Sequence, residues 1–405
     1  MRINSSLTHL WRRGVGAAVL LGLLIASVAH AENGATRLDF YGFAMLDMGY
    51  QTKQNDAAWF DVLRPTKLPS SDNQFGEDGR FFAGVRQSRF GVKSSTQTDL
   101  GELKTIFEFE MFGVSVDAGQ TTIRLRHAYG ELGKFGFGQY WSPFMDIDVF
   151  PNSVEYWGPN GMAFFRNVQA RWMPVWTDQR KIAIALERPG GSGDQGVVNE
   201  FIGGDLQARF PLPDLSGEFR MGVQRGYVEL AGIVRQMYWD DLVPNNANGD
   251  LSGDAVGWGL SLSSNLKAGE KGTARLQVVY GEGIQNYMND APVDVAPQTD
   301  GSTIKGVALP MTGVSAFIDW NWNEKLSSSF GYSMLDIDNT DLQAGNAFKK
   351  GQYALGNVMF YPVKNVMLGP EIQWGDRENK GGFTSDDMRV QFSAKYNFAG
   401  SFGGM

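Results

Sequence analysis

The chain has 405 residues, with 36 Lys and Arg against 44 Asp and Glu, a formal net charge of −8, and no cysteine. An acidic chain lacks the basic footprint of a nucleic-acid binder, and the missing cysteine excludes disulfide staples, thiolate metal sites and cysteine nucleophiles. The 27 Phe, 11 Trp and 13 Tyr still need apolar surroundings, yet no segment beyond the N-terminus has the ~18 uninterrupted apolar residues of a membrane helix.

Residues 1–31 read as a secretory signal peptide: Arg2, Arg12 and Arg13 are followed by an apolar run from Val15 to Val28 and a small-residue cleavage site, Ala29-His30-Ala31. Its removal leaves 33 basic against 44 acidic residues, a net charge of −11, and one histidine, His127.

From there the chain alternates apolar and polar residues with period two, near 37–51, 80–95, 101–113, 120–131, 134–141, 164–173, 180–188, 201–226, 227–239, 254–266, 271–283, 311–323, 325–337, 350–361, 364–376 and 387–398. In the last of these Met388, Val390, Phe392, Ala394, Tyr396 and Phe398 share one face, and Arg389, Gln391, Ser393, Lys395 and Asn397 the other. Connections alternate as well. Long gaps such as 52–79, 142–163 and 284–310, with only 114–119 brief among them, take turns with short ones such as Asn323-Glu324-Lys325 and Pro362-Val363.

Alternation, loop parity and an export signal together predict an all-β, antiparallel transmembrane barrel of sixteen strands over residues 32–398, with a short tail at 399–405. The parity requires 201–226, interrupted by Pro211 and Pro213, to be one bent strand, and eighteen is the alternative count. A soluble periplasmic sandwich would also alternate, but would not place large aliphatic and aromatic residues on the outer face of nearly every strand.

Parity also sorts the polar residues. Arg89, Lys93, Arg124, Arg126 and Arg171 fall on the lumen face, with Arg166 at its strand's loop end and Glu108 and Glu110 beside them. Loop 142–163 is rich in Phe, Trp, Tyr and Pro and is expected to fold inward as a constriction, its polar contributions being Asp146, Asp148 and Glu155. An arginine row facing an acidic loop would set up a transverse field favouring small anionic solutes, carboxylates in particular; alternatively, some arginines simply neutralise Glu108 and Glu110. Parity aims His127, with Tyr129, at the lipid side, which leaves no candidate for a Ser-His-Asp triad or a histidine metal site. Stretches 245–254 and 336–346 are acidic and Asn/Gly-rich but lack calcium-loop spacing, so no metal or cofactor is expected.

The stretch Ser88-Arg-Phe-Gly-Val-Lys-Ser94 resembles the second strand of bacterial porins, and Arg124 to Ser142 the strand, turn and strand before their constriction loop. Pro143 to Pro159, with Gly281-Glu282-Gly283, resembles the DcaP-like porin family more specifically, and the likeness runs from about Leu38 to Phe398. The resemblance implies a trimeric sixteen-stranded outer-membrane channel, in some members for dicarboxylic or aromatic acids, set among lipid bilayer and lipopolysaccharide. This chain lacks the N-terminal coiled coil of some relatives, and Ala399 to Met405 follow the aromatic expected as the assembly signal. A non-selective porin and a structural or adhesin barrel are the alternatives.

Overall fold

A computed structural model describes residues 36–193, 202–244 and 249–403. The signal-peptide assignment lies outside these residues, as do 245–248 of the acidic stretch. Sixteen antiparallel strands form a closed meander in which each strand pairs with the next. The first five are Arg37–Gln51, Arg80–Gly84 with Arg89–Thr98, Gly101–Phe112, Thr121–Leu132 and Phe135–Trp141. The next six are Arg166–Trp176, Arg180–Glu187, Leu206–Arg209 with Asp214–Val223, Gly226–Asp241, Gly253–Ala268 and Gly272–Glu282. The last five are Pro310–Asn323, Leu326–Ile337, Phe348–Asn357 with Met359–Phe360, Val366–Asn379 and Thr384–Phe402. Closure comes from the first strand against the last, in register from Leu38↔Phe402 to Gln51↔Arg389.

The bent strand predicted over 201–226 is one strand in two pieces. Leu206–Arg209 pairs with Asp241 to Tyr238, and Asp214–Val223 pairs with Val234 to Gly226, so both lie along the same ninth strand. Pro211 and Pro213 cannot donate to a ladder, and the pairing lapses between the two pieces. The C-terminal end differs from expectation: pairing continues to Phe402, whose ring meets Phe40 edge-on at 5.4 Å, so residues 399–402 belong to the wall and are not a tail.

The two faces separate as the alternation requires. Leu260, Leu262, Val278, Val390 and Phe392 are exposed on the outer wall, whereas Arg389, Gln391 and Ser393 are buried on the inner one. Trp172, Trp176, Trp322, Tyr396 and Phe398 are exposed near the short-turn ends, the position of an aromatic girdle.

Three long loops, 52–79, 142–165 and 283–309, turn into the barrel and seat on apolar patches of its inner wall. Leu63 and Leu68 pack with Phe317, Tyr353 and Leu355; Val154 packs with Met45 and Met359; and Phe144, Met145, Tyr287 and Met288 share a cluster with wall residues Ile233, Val279 and Leu335. Gly161 is pressed so closely onto the thirteenth strand that a Cβ there would overlap the Met334 carbonyl oxygen.

Candidate functional site

The narrow part of the lumen is built on the third and fourth strands, and a β-bulge determines what faces it. The register steps from Glu108↔His127 to Phe109↔Leu125, leaving Arg126 as the extra residue. Arg126 and His127 therefore both point inward, and from there to the strand's end the parity is reversed. This corrects the sequence reading of His127 and Tyr129, which lie inside and not on the lipid face. The His127 ring packs on Tyr140 and Trp141 at 4.7 and 4.8 Å, with its Nε2 3.9 Å from Glu108. Tyr129 stacks on Tyr140 at 4.7 Å.

Glu108 and Glu110 are buried and receive four arginines. Arg126 donates Nε to Glu108 and Nη1 to Glu110, both at 2.6 Å. Arg89 lies 3.6 Å from Glu108 and 3.5 Å from Glu110, while Arg124 and Arg166 approach Glu110 at 3.5 and 3.7 Å. Tyr41 donates its hydroxyl to Glu108 at 2.7 Å, and Tyr156 from the constriction loop donates to Glu110. Four guanidiniums against two carboxylates leave a local excess of positive charge, and Arg89 Nε and Arg166 Nη1 have no partner among the described residues.

The loop acids do not confront this row. Asp146 is staked to the opposite wall, accepting from Arg220 at 2.6 Å and from the Tyr227 and Ser263 hydroxyls at 2.7 Å. Asp148 pairs with the same Arg220 at 2.5 Å. Glu155 is buried beneath the loop and accepts from the backbone N–H groups of Leu63 and Gly158, and burial holds its carboxyl above the ordinary carboxylate range. The transverse field expected between arginine row and acidic loop is thus replaced by a loop whose acids are spent on holding it in place. Arg171 also serves as an anchor: it donates to Gln169 at 2.9 Å and to the Trp141 carbonyl, and stays outside the cavity lining.

What remains open is a cavity of about 960 Å³, lined by Arg64, Arg89, Lys93, Arg124, Arg126, Arg166 and Lys395 together with Tyr140, Trp141, Tyr156 and Phe164. Four carboxylates lie in or beside this lining, Glu108, Glu110, Glu155 and Asp290, which against seven cations gives a local balance of +3. Sequence reasoning missed Arg64, Lys395, Tyr41 and Tyr156. Tyr41 could have been found by extending the parity count to the first strand; on the last strand parity already puts Lys395 on the polar face, where its amine lies 4.2 Å from the Phe43 ring, without marking it as part of the site. Arg64 and Tyr156 lie on loops, where no period exists to place them. No group of three or more metal-ligating side chains occurs among the described residues.

The DcaP outer membrane protein family matches residues 28–398, nearly the whole barrel. The chain belongs to this family. Among solved structures it is similar to the outer membrane channel DcaP of Acinetobacter baumannii, at 23% identity and a TM-score of 0.75, over 90% of this chain and 97% of that one. An anion-selective porin from Comamonas acidovorans aligns at 12% identity and a TM-score of 0.56, covering 90% of this chain and all of the other. The trimer form of OmpT from Vibrio cholerae aligns at 12% identity and 0.54, over 90% and 99%. No curated protein matches the chain. The DcaP family and the structural neighbours fix the class as a porin-type channel of the outer membrane, and the constriction described above is that of a DcaP-family barrel.

Proposed function

We propose that the protein is a passive diffusion channel with a preference for small anionic solutes, carboxylates and dicarboxylates in particular, working as a homotrimer in a bilayer faced with lipopolysaccharide. The carrying observation is the positive balance of the cavity wall, seven lining cations against the four carboxylates in and beside it. A carboxylate entering there exchanges water for charge-assisted hydrogen bonds, and the fork geometry of guanidinium suits its two oxygens. Glu108 and Glu110 moderate the site: they hold the arginines apart and keep the net attraction weak enough for the solute to leave, as conduction demands. Tyr140, Trp141, Tyr156 and Phe164 offer flat apolar faces to the solute's carbon skeleton. The anion-selective and trimeric neighbours named above lend support by likeness. The chemistry needs no cofactor: movement follows the solute's own gradient.

Swelling of liposomes containing the purified protein tests this. Dicarboxylates are expected to enter several-fold faster than neutral sugars of equal size, as a net-positive, ion-lined constriction dictates. Equal rates would point to a non-selective porin, which the buried Glu108 and Glu110 would then explain by cancelling the arginines. Absence of swelling would point to a structural or adhesin barrel.

A further inference from the structure

Six of the seven cations around the cavity sit on barrel strands; the seventh, Arg64, is on the first inward loop. Its guanidinium lies 4.2 Å from the ring centre of Trp59 on its own loop and 3.9 Å from that of Trp157 on the constriction loop. The two indoles meet nearly at right angles, 4.9 Å apart, so the cation occupies the corner between them. Its Nε and Nη2 both reach Asp290, on the third inward loop, at 2.8 Å. Asp290 is fully buried and also accepts from the Thr66 backbone N–H at 3.0 Å and the Thr66 hydroxyl. The joint is reinforced by the residue beside Asp290. Trp157 Nε1 donates to the Asn289 carbonyl at 2.7 Å, and the Asn289 amide returns bonds to the carbonyls of Trp157 and Pro159 at 2.7 and 2.8 Å.

We propose that Arg64 is the positioning residue of the pore, one side chain that clasps all three inward loops and so sets the cross-section left between them and the arginine wall. This rests on the channel reading above and deepens it. The job calls for arginine: its planar cation can stack on aromatic faces while its edge donates to a carboxylate, and a lysine ammonium can do one or the other. Without it, the buried Asp290 loses the only cation paired with it in this joint, keeping Thr66 and the more distant Lys67 and Arg377, and the corner between Trp59 and Trp157 keeps its packing on Phe112 but loses the cation that ties it to the third loop. The strand-borne cations differ in that their positions are fixed by the sheet and survive a change in any loop.

Single-channel recording in planar bilayers separates a clasp from a mere lining charge. Arg64→Ala is expected to raise conductance roughly two-fold and to add fluctuation between open levels, since a loop free to move widens the constriction and makes it variable. Asp290→Asn is the decisive variant, because it leaves the Arg64 charge in the pore and removes only the partner that orients it. A clasp predicts that this variant fluctuates as Arg64→Ala does while its anion preference is at least the parent's, and that Arg64→Lys fails to restore the quiet open state. If Arg64 is only a lining charge, Arg64→Ala loses anion preference, and Asp290→Asn and Arg64→Lys conduct as steadily as the parent; that outcome overturns the proposal. Should Arg64→Ala fail to fold, the comparison of Asp290→Asn with Arg64→Lys still decides. A parent protein silent in bilayers would instead sink the channel reading itself, and silent variants beside a conducting parent would count against the clasp.

Discussion

Arg126→Ala is expected to unfold at markedly lower urea than the parent in lipid vesicles, a loss of about 3 kcal/mol. The size follows from what is left behind. Removing one partner of a buried ion pair costs about 3–5 kcal/mol because the other charge remains desolvated, and Arg126 serves two such partners, at 2.6 Å each. The low end applies because Arg89, Arg124 and Arg166 stay within 3.7 Å of the same two carboxylates. The functional effect has its own sign. With one cation gone, the balance around the cavity falls and anion preference falls with it. Urea titration followed by tryptophan fluorescence measures the first effect and reversal potentials the second; a variant as stable as its parent would show that the Glu108–Glu110 cluster is solvated and not a buried network.

The second large effect belongs to the outer wall. Leu262 is half exposed near the middle of the tenth strand, between Leu230 and Val278 on its two neighbours. In a barrel embedded in lipid, arginine at that depth costs about 2–4 kcal/mol, falling to about 0–1 kcal/mol near an interface. Leu262→Arg is therefore expected to destabilise the folded barrel in vesicles far more than Phe135→Arg, which sits next to the short turn at residues 133–134 with its side chain also turned outward. Side-by-side unfolding curves check the difference. Equal small losses at both positions would mean that the exposed apolar face does not lie against hydrocarbon.

Much of this could be read before any coordinates. Period-two alternation needs only the pleat of a strand, so the sixteen strands and the lumen placement of Arg89, Lys93, Arg124 and Arg126 follow from counting by twos, while the inward turn of loop 142–163 was legible only in its aromatic composition. The same counting failed at His127 because a bulge inserts one residue and inverts every assignment beyond it, and no residue type in Arg124 to Tyr129 announces that insertion. It stopped short at the last strand for a different reason: Ala399, Gly400 and Ser401 carry little hydrophobic signal, while pairing with the first strand carries the wall on to Phe402.

The site's electrostatics were harder to foresee, because they depend on which loop acid meets which wall. Asp146 and Asp148 are 74 and 72 residues from Arg220 in sequence, and only the closed barrel brings them together at 2.6 and 2.5 Å. Loops follow no period, so the inward course of 52–79, and with it Arg64, left no trace beyond an unusual share of apolar residues, among them Trp59, Val62, Leu63 and Leu68.

The reversal potential of the reconstituted protein in a steep potassium chloride gradient tests the central claim most directly. A constriction with seven cations against four carboxylates predicts a potential of the sign set by chloride, shrinking as salt rises and the wall charges are screened. A potential of the sign set by potassium would contradict it, because the described wall carries more cations than carboxylates.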